Sequence, residues 1–259
     1  MGLLHVLYAV VSYAVFLATF LYTIGFVGGL GVPKTIDTPA GPGGWQALAV
    51  DLALLGLFAV QHSVMARPAF KRWWTRFVPP AIERSTYVLF SSLLLALLFG
   101  AWRPLVTTVW DLRGTAAGTV LLAAYGLGWM LVLVSTFMIS HFELFGLTQA
   151  WRRLRERPEP PVAFVERFLY RFVRHPIMLG FLVAFWSAPA MSTGHLVFAV
   201  MTTGYILVGV QLEERDLRRA LGDAYERYRA RVPMLLPFMK RRVSTEAGAR
   251  PRPGRASSG

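Results

Sequence analysis

Arg174, His175 and Pro176 open one apolar run of this sequence, and Glu213 and Glu214 close the next. If the two runs fold back on each other as a helical hairpin, these ionisable groups meet at its open end. Proline suits the first position of a helix. His175 and Arg174 are therefore expected at a helix N-terminus, where unpaired amides and the dipole favour an anionic group such as a carboxylate. The two glutamates opposite would receive an ammonium or a ribose hydroxyl. A zwitterionic, amino-acid-bearing cofactor fits that pair of charges. Further on, Tyr225 and Tyr228 lie three residues apart, hence on one helical face, and could stack on an adenine. The same spacing also fits an amphipathic helix with its tyrosines among lipid headgroups.

A second set of polar residues ends two other apolar runs: Gln61, His62 and Ser63 with Arg67, and His141, Phe142 and Glu143 with Gln149 beyond. Ionisable groups near hydrocarbon are costly, so each is a functional candidate. His62, His141 and Glu143 could act as acid–base or substrate-orienting groups, with helix capping and interfacial hydrogen bonding as the alternative for each. The five histidines, His5, His62, His141, His175 and His195, could instead include haem ligands, with His62 and His141 on one side. That alternative leaves Glu213, Glu214 and the tyrosines without a purpose. The chain has no cysteine. Disulfides, Cys-ligated zinc or iron–sulfur sites and covalent thiol catalysis are excluded, and no metal is expected.

The elements that must position these groups are membrane helices. The 259 residues are 55% hydrophobic, too apolar for a soluble domain of this size. A bilayer core about 30 Å thick asks for about 20 apolar residues per helix. Six segments qualify as candidates: Leu3–Leu30, Trp45–Ala66, Thr86–Trp102, Thr115–His141, Pro176–Ala190 and His195–Leu212. The fifth is short, so five or six crossings are expected. The first lacks a basic leader region and stays apolar well beyond a signal peptide's core, which marks it as a retained span. Turn-forming prolines punctuate the loops, at Pro33, Pro39, Pro42, Pro104 and from Pro158 to Pro161. Of the 27 Lys and Arg, all but Lys34, Arg103 and Arg113 fall in segments 67–84, 142–175 and the tail after Leu212. With alternating spans these segments share one side with the N-terminus. That side is expected to be cytoplasmic, in a bacterial inner membrane, with both termini there. The net charge of +13 is explained by topology rather than by nucleic acid, because the basic residues lie between spans. Residues 1–240 read as a single transmembrane domain. The stretch 241–259, rich in Gly, Pro, Ser and Arg, reads as a flexible basic tail.

Arg174-His175-Pro176 with Gly180, then Glu213-Glu214, Gly222, Tyr225, Tyr228 and Val232-Pro233, resembles the C-terminal signature of the isoprenylcysteine carboxyl methyltransferase and phospholipid methyltransferase superfamily. The correspondence covers roughly residues 168–238. Met178 departs from the tyrosine common at that place, which argues against a standard prenylcysteine enzyme. Upstream, Gln61 to Pro68, Glu83-Arg84-Ser85, His141 to Leu147 and Phe185-Trp186 look like the methanethiol S-methyltransferase branch, over nearly the whole chain. The same branch resembles membrane proteins associated with denitrification.

The resemblance implies an all-α polytopic bundle with a C-terminal cytoplasmic cofactor-binding helical segment. It also implies S-adenosylmethionine as methyl donor, and Gln149, Tyr170, Arg174, His175, Pro176, Gly180, Glu213, Glu214, Tyr225 and Tyr228 as candidates to hold it. The acceptor implied is a small volatile thiol, methanethiol, converted to dimethyl sulfide. Hydrogen sulfide, another small thiol, a lipid amine or a carboxylate is the alternative. The donor's sulfonium activates its methyl, so the protein chiefly aligns the acceptor. A free thiol ionises at or above about pH 8.5, so His62, His141 or Glu143 would raise its reactive fraction. The lipid bilayer is the expected surrounding, and no obligate protein partner is evident.

Overall fold

The computed structural model describes residues 1–39, 43–158 and 168–237. The basic tail 241–259 and the prolines at 160 and 161 lie outside the described residues. Among the described residues five helices are long and apolar enough to cross a membrane: α1 (Gly2–Gly28), α2 (Trp45–Ala66), α4 (Pro80–Ala101), α5 (Ala116–Ile139) and α9 (Thr193–Leu221). Between and after them lie short helices: α3 (Pro68–Trp74), α6 (His141–Leu144), α7 (Leu147–Leu154), α8 (Pro176–Trp186) and α10 (Asp223–Arg231). The protein is an all-helical, multi-pass membrane bundle. Leucines and valines along α1, α2 and α5, among them Leu3, Leu7, Leu21, Leu57, Val60, Val120 and Leu127, are exposed on the outer surface. Hydrocarbon rather than water suits such a surface.

Local chemistry sets the helix ends. Pro68, Pro80 and Pro176 each begin a helix, where their missing N–H groups would have gone unpaired. Thr115 caps α5 by accepting from the Gly118 N–H, and Ser192 caps α9 by accepting from the His195 N–H. The bounds differ from the hydropathy reading by one to four residues at most ends, α8 stopping at Trp186 rather than Ala190, and by more at two. α4 begins at Pro80, six residues before Thr86, and α9 runs nine residues past Leu212 through charged sequence to Leu221. Hydropathy marks only what sits in hydrocarbon. At about 1.5 Å per residue, the 29 residues of α9 extend about 43 Å, so its charged end stands clear of a bilayer.

α1 packs on α4, α4 on α2, α2 on α9, α9 on α8 and α8 on α5, and side chains of α5 meet α1 again, Trp129 on Phe20 and the Tyr125 hydroxyl on the Ile24 carbonyl, which closes the helices into a ring. The α5–α8 contact is the most extensive. A Cβ at Gly128 would lie 2.8 Å from the Gly180 carbonyl, and one at Gly180 would lie 2.8 Å from the Gly128 carbonyl. Only two glycines allow the helices this close.

α8 has 11 residues, about 16 Å of helix, too short to cross alone. Beyond α8 the chain continues in extended form. After α8 it forms β2 (Ala190–Ser192), antiparallel to β1 (Thr108–Asp111) in the loop between α4 and α5. Among the described residues this short strand pair is what an all-helical expectation left out. At this far end of the bundle an aromatic core fills the ring: Trp129 packs on Phe20, Tyr125, Phe181 and Phe185, and Trp102 on Phe26 and Phe198. Asp51, fully buried in α2, accepts the Arg103 N–H at 2.9 Å. The ionisable clusters gather at the opposite, basic end.

Candidate active site

The hairpin expected from sequence does bring its charged ends together, around Glu214. This carboxylate, 5% exposed, faces back from α9 toward the segment that leads into α8. The Arg174 guanidinium lies 2.6 to 2.7 Å from Glu214 Oε1, His175 Nε2 is 3.2 Å from the same oxygen, and Arg229 Nε of α10 is 3.3 Å from Oε2. Arg174 also donates to the carbonyls of Arg229 and Val232, and the backbone N–H groups of Arg174 and His175 donate to the carbonyls of Pro233 and Met234. A positive φ of 54° at Gly222 turns the chain from α9 into α10. The strap 232–234 then closes over the cluster. Two charges this deeply buried require mutual neutralisation and further hydrogen bonds, and both requirements are met.

The neighbouring glutamates therefore differ. Glu214 is saturated by protein cations, whereas the Glu213 side chain is 48% exposed and touches the cluster through His175 Nδ1 at 3.5 Å. Glu213 keeps carboxylate lone pairs for an outside donor. Tyr170 and Tyr225 stand near enough to Glu213 to feel its charge, and burial pushes both phenols up. Tyr225 and Tyr228 are buried, packed with Val232, Leu217 and Leu221, and the Tyr228 hydroxyl donates to the Tyr170 carbonyl at 2.6 Å. In this arrangement both rings seat α10 on α9 and present no open face. Pro176 starts α8, and Gly180 faces Gly128 of α5, so its role is close packing rather than contact with the charged cluster.

The second set of candidates separates into distinct places. His62 lies between α2, α4 and α9. Its Nε2 is 2.7 Å from the Tyr87 hydroxyl and its Nδ1 is 3.1 Å from Ser91 Oγ, which donates in turn to Gln61 Oε1 at 3.4 Å. Phe58 stacks on the imidazole at 5.2 Å and Tyr205 meets its edge. Arg67, Arg84 and Glu213 are close enough to act electrostatically on Tyr87. Arg67, at the end of α2, pairs with Asp216 of α9 at 2.8 Å, which ties this group to the Glu213 end of α9. Tyr87, Ser91 and Tyr205 were not singled out in the sequence. The available signal was Tyr87 and Ser91 four apart on one face of α4.

His141 lies elsewhere, against α1. Its Nε2 is 2.9 Å from the Tyr13 hydroxyl and its Nδ1 is 2.8 Å from Thr136 Oγ1. Phe137 stacks on it at 4.2 Å with Phe142 and Phe145 around. Burial holds its imidazole below the ordinary range. Glu143 pairs with Arg152 at 3.3 Å, and its carbonyl accepts from Gln149 Nε2 at 3.0 Å, so these two close the α6–α7 turn. With both nitrogens of His62 and of His141 hydrogen-bonded within separate groups, the haem alternative loses its pair of axial ligands. Among the described residues no cluster of three or more His, Asp or Glu could hold a metal ion.

Fold and site together define an integral membrane protein that brings a buried ion cluster and a tyrosine–histidine group to one end of its helical ring. The chain is 57% identical over 238 residues to a methanethiol S-methyltransferase of Mycobacterium tuberculosis, covering 92% of this chain and 98% of that protein. It is 53% identical to methanethiol S-methyltransferase 2 of Bradyrhizobium diazoefficiens, with 95% of each chain covered. A more distant relative is rat Nurim (Rattus norvegicus), 31% identical over 206 residues, covering 73% of this chain and 78% of that protein. No family model and no solved structure matches. The chain belongs to the methanethiol S-methyltransferase family and is a methyltransferase.

Proposed function

We propose that the protein transfers the methyl group of S-adenosylmethionine to the sulfur of methanethiol, releasing dimethyl sulfide and S-adenosylhomocysteine, at the cytoplasmic face of a bacterial inner membrane. The observation that carries this proposal is the 57% identity, over nearly the full length of both chains, to a protein named for that acceptor. The donor set supports the cofactor. Glu213 offers a half-exposed carboxylate for an ammonium or hydroxyl, and His175 stands beside it at the start of α8. The first amides of that helix favour a carboxylate.

The bound sulfonium would supply an already activated methyl group. The protein's own work is to bind, orient and deprotonate the acceptor. Arg174, Glu214 and Arg229 fix His175 and the strap 232–234, and Pro176 and Gly180 fix α8. Tyr170, Tyr225 and Tyr228 build the wall that α10 lays over the cluster, and Gln149 and Glu143 shape the α6–α7 turn. His62 would serve the acceptor, being the histidine bonded to Tyr87, whose ring feels the charge of Glu213; His141 and Glu143 are second choices for that role. A small apolar thiol partitions into lipid, which suits a site at the membrane end of a helical ring.

The test is a headspace assay on purified protein in lipid nanodiscs with S-adenosylmethionine. Methanethiol should give dimethyl sulfide, and hydrogen sulfide or a lipid amine should give at most a small fraction of that turnover. A higher rate with either alternative would reassign the acceptor.

A further inference from the structure

Within the group around His62, the proton positions follow from the partners. Gln61 is oriented by its Nε2, 3.0 Å from Met65 Sδ, so its Oε1 is turned to accept from Ser91. The one Ser91 proton is committed there, and Ser91 Oγ must accept from His62 Nδ1–H. His62 is thus the tautomer protonated at Nδ1, and its bare Nε2 accepts the Tyr87 hydroxyl at 2.7 Å. Both imidazole nitrogens are engaged, Ser91 is buried, and Gln61 Oε1 is occupied. Within this hydrogen-bonded chain of Gln61, Ser91, His62 and Tyr87, Tyr87 Oη keeps lone pairs to offer an incoming donor, on a half-buried ring. The charged and titratable groups facing it are Tyr205 from α9, Arg84 from its own helix, Arg67 from the end of α2 and Glu213 from α9. Glu213 in turn lies 3.5 Å from His175.

We infer that the acceptor thiol binds against Tyr87, between α2, α4 and α9, and is deprotonated through a Tyr87–His62 relay held in register by Ser91 and Gln61. The thiol S–H proton passes to Tyr87 Oη as the Tyr87 proton passes to His62 Nε2. The freed sulfur lone pair forms the new S–C bond while the donor's C–S⁺ bond breaks, its electron pair staying on the departing sulfur. The products are a thioether, a neutral donor thioether and an imidazolium that returns its proton to solvent. Charge balances, with one positive charge before and after. This inference rests on the thiol-methylating function proposed above. It names the group that touches the acceptor, which is Tyr87; His62 acts through it.

A relay of this kind frees the reaction from dependence on thiolate in solution. Wild-type kcat/KM for methanethiol should be level across neutral and mildly alkaline pH. Tyr87→Phe and His62→Gln should each lose about 10²-fold or more at neutral pH. In both variants kcat/KM should then climb about tenfold per pH unit toward the thiol pKa, at or above about 8.5. Binding of S-adenosylhomocysteine, measured by calorimetry, should be unchanged, which shows that the variants are folded. A Tyr87→Phe protein with the wild-type rate and profile overturns the relay, as does a loss of equal size at every pH. Should the variants bind no S-adenosylhomocysteine, the wild-type profile decides: a level line supports the relay, and a tenfold climb per pH unit overturns it. A wild-type enzyme that forms no dimethyl sulfide at any pH would instead refute the proposed function itself.

Discussion

His62 and His141 make the same local pattern in two regions of the basic end. Each receives a tyrosine hydroxyl at Nε2, from Tyr87 at 2.7 Å or Tyr13 at 2.9 Å, and each sets Nδ1 against a hydroxyl of an adjoining helix, Ser91 or Thr136. Thr136 donates to the Leu133 carbonyl at 2.7 Å, so it too accepts from Nδ1–H, and the tautomers match. What differs is the next layer. Around His141 stand Phe137, Phe142 and Phe145, while the Tyr87–His62 pair lies among Tyr205, Arg67, Arg84 and Glu213. A hydrogen-bonded histidine walled by phenylalanine is a clamp that fastens α1 to α5. The same unit beside ionised groups and an open carboxylate can exchange protons with a ligand. Local motif alone does not separate structure from chemistry; the surroundings do.

The largest expected effect comes from removing the ion cluster that borders the His62 region. Glu214→Ala leaves the Arg174 guanidinium, its side chain 5% exposed, without its counter-charge. Breaking a buried pair costs about 3–5 kcal/mol. Thermal unfolding in lipid should show most of that loss, and cofactor binding should vanish with the displaced strap. Glu213→Ala, one residue away and half-exposed, should shift stability by about 0.5 kcal/mol or less yet raise KM for S-adenosylmethionine. Equal stability losses for the two variants would remove the distinction between a saturated and an available carboxylate.

Next in size is the exchange of the two histidines for glutamine. His62→Gln should lower kcat/KM by about 10²-fold or more, while its two lost hydrogen bonds cost about 1–3 kcal/mol of stability. His141→Gln should destabilise by about 1–3 kcal/mol, the cost of disturbing a buried polar group. The activity of its folded fraction at permissive temperature should stay near wild type. The reverse outcome would place the chemistry against α1.

Much of this was legible in the sequence. Trp45–Ala66 is bounded alike by hydropathy and by the fold, and the meeting of Arg174 and His175 with Glu213 and Glu214 follows from a hairpin with charges at both open ends. What was not legible depends on helix neighbours. Tyr87 and Ser91 look like ordinary polar positions among the others of α4 until α2 sets His62 beside them, and no spacing rule links residues 29 apart on different helices. Likewise Tyr225 and Tyr228 share a face as expected, but that face is turned onto α9 and buried. Helical periodicity gives the stripe without saying what covers it.

Smaller again is Tyr13→Phe, which deletes one hydroxyl from the His141 clamp and leaves its ring packing intact. The expected cost is about 1 kcal/mol, read from unfolding temperature, with the pH profile of kcat/KM unchanged. A Tyr13→Phe profile that climbs with pH as expected for Tyr87→Phe would show that both regions serve the thiol.

The finest distinction is in acid. His141 lies outside the membrane-spanning helices, and burial holds its pKa below the ordinary value of 6.5. The unfolded chain therefore binds a proton at higher pH than the folded one. The neutral imidazole's contribution to stability is fully present above pH 6.5 and is lost as pH falls through the folded pKa. Wild-type protein should lose unfolding temperature between neutral and mildly acid pH more steeply than His141→Gln, because carboxylate titrations are common to both and cancel in the difference. Parallel slopes would mean that a proton reaches the His141 ring in the folded protein at no cost, and that the phenylalanine wall does not separate it from His62 as the comparison requires.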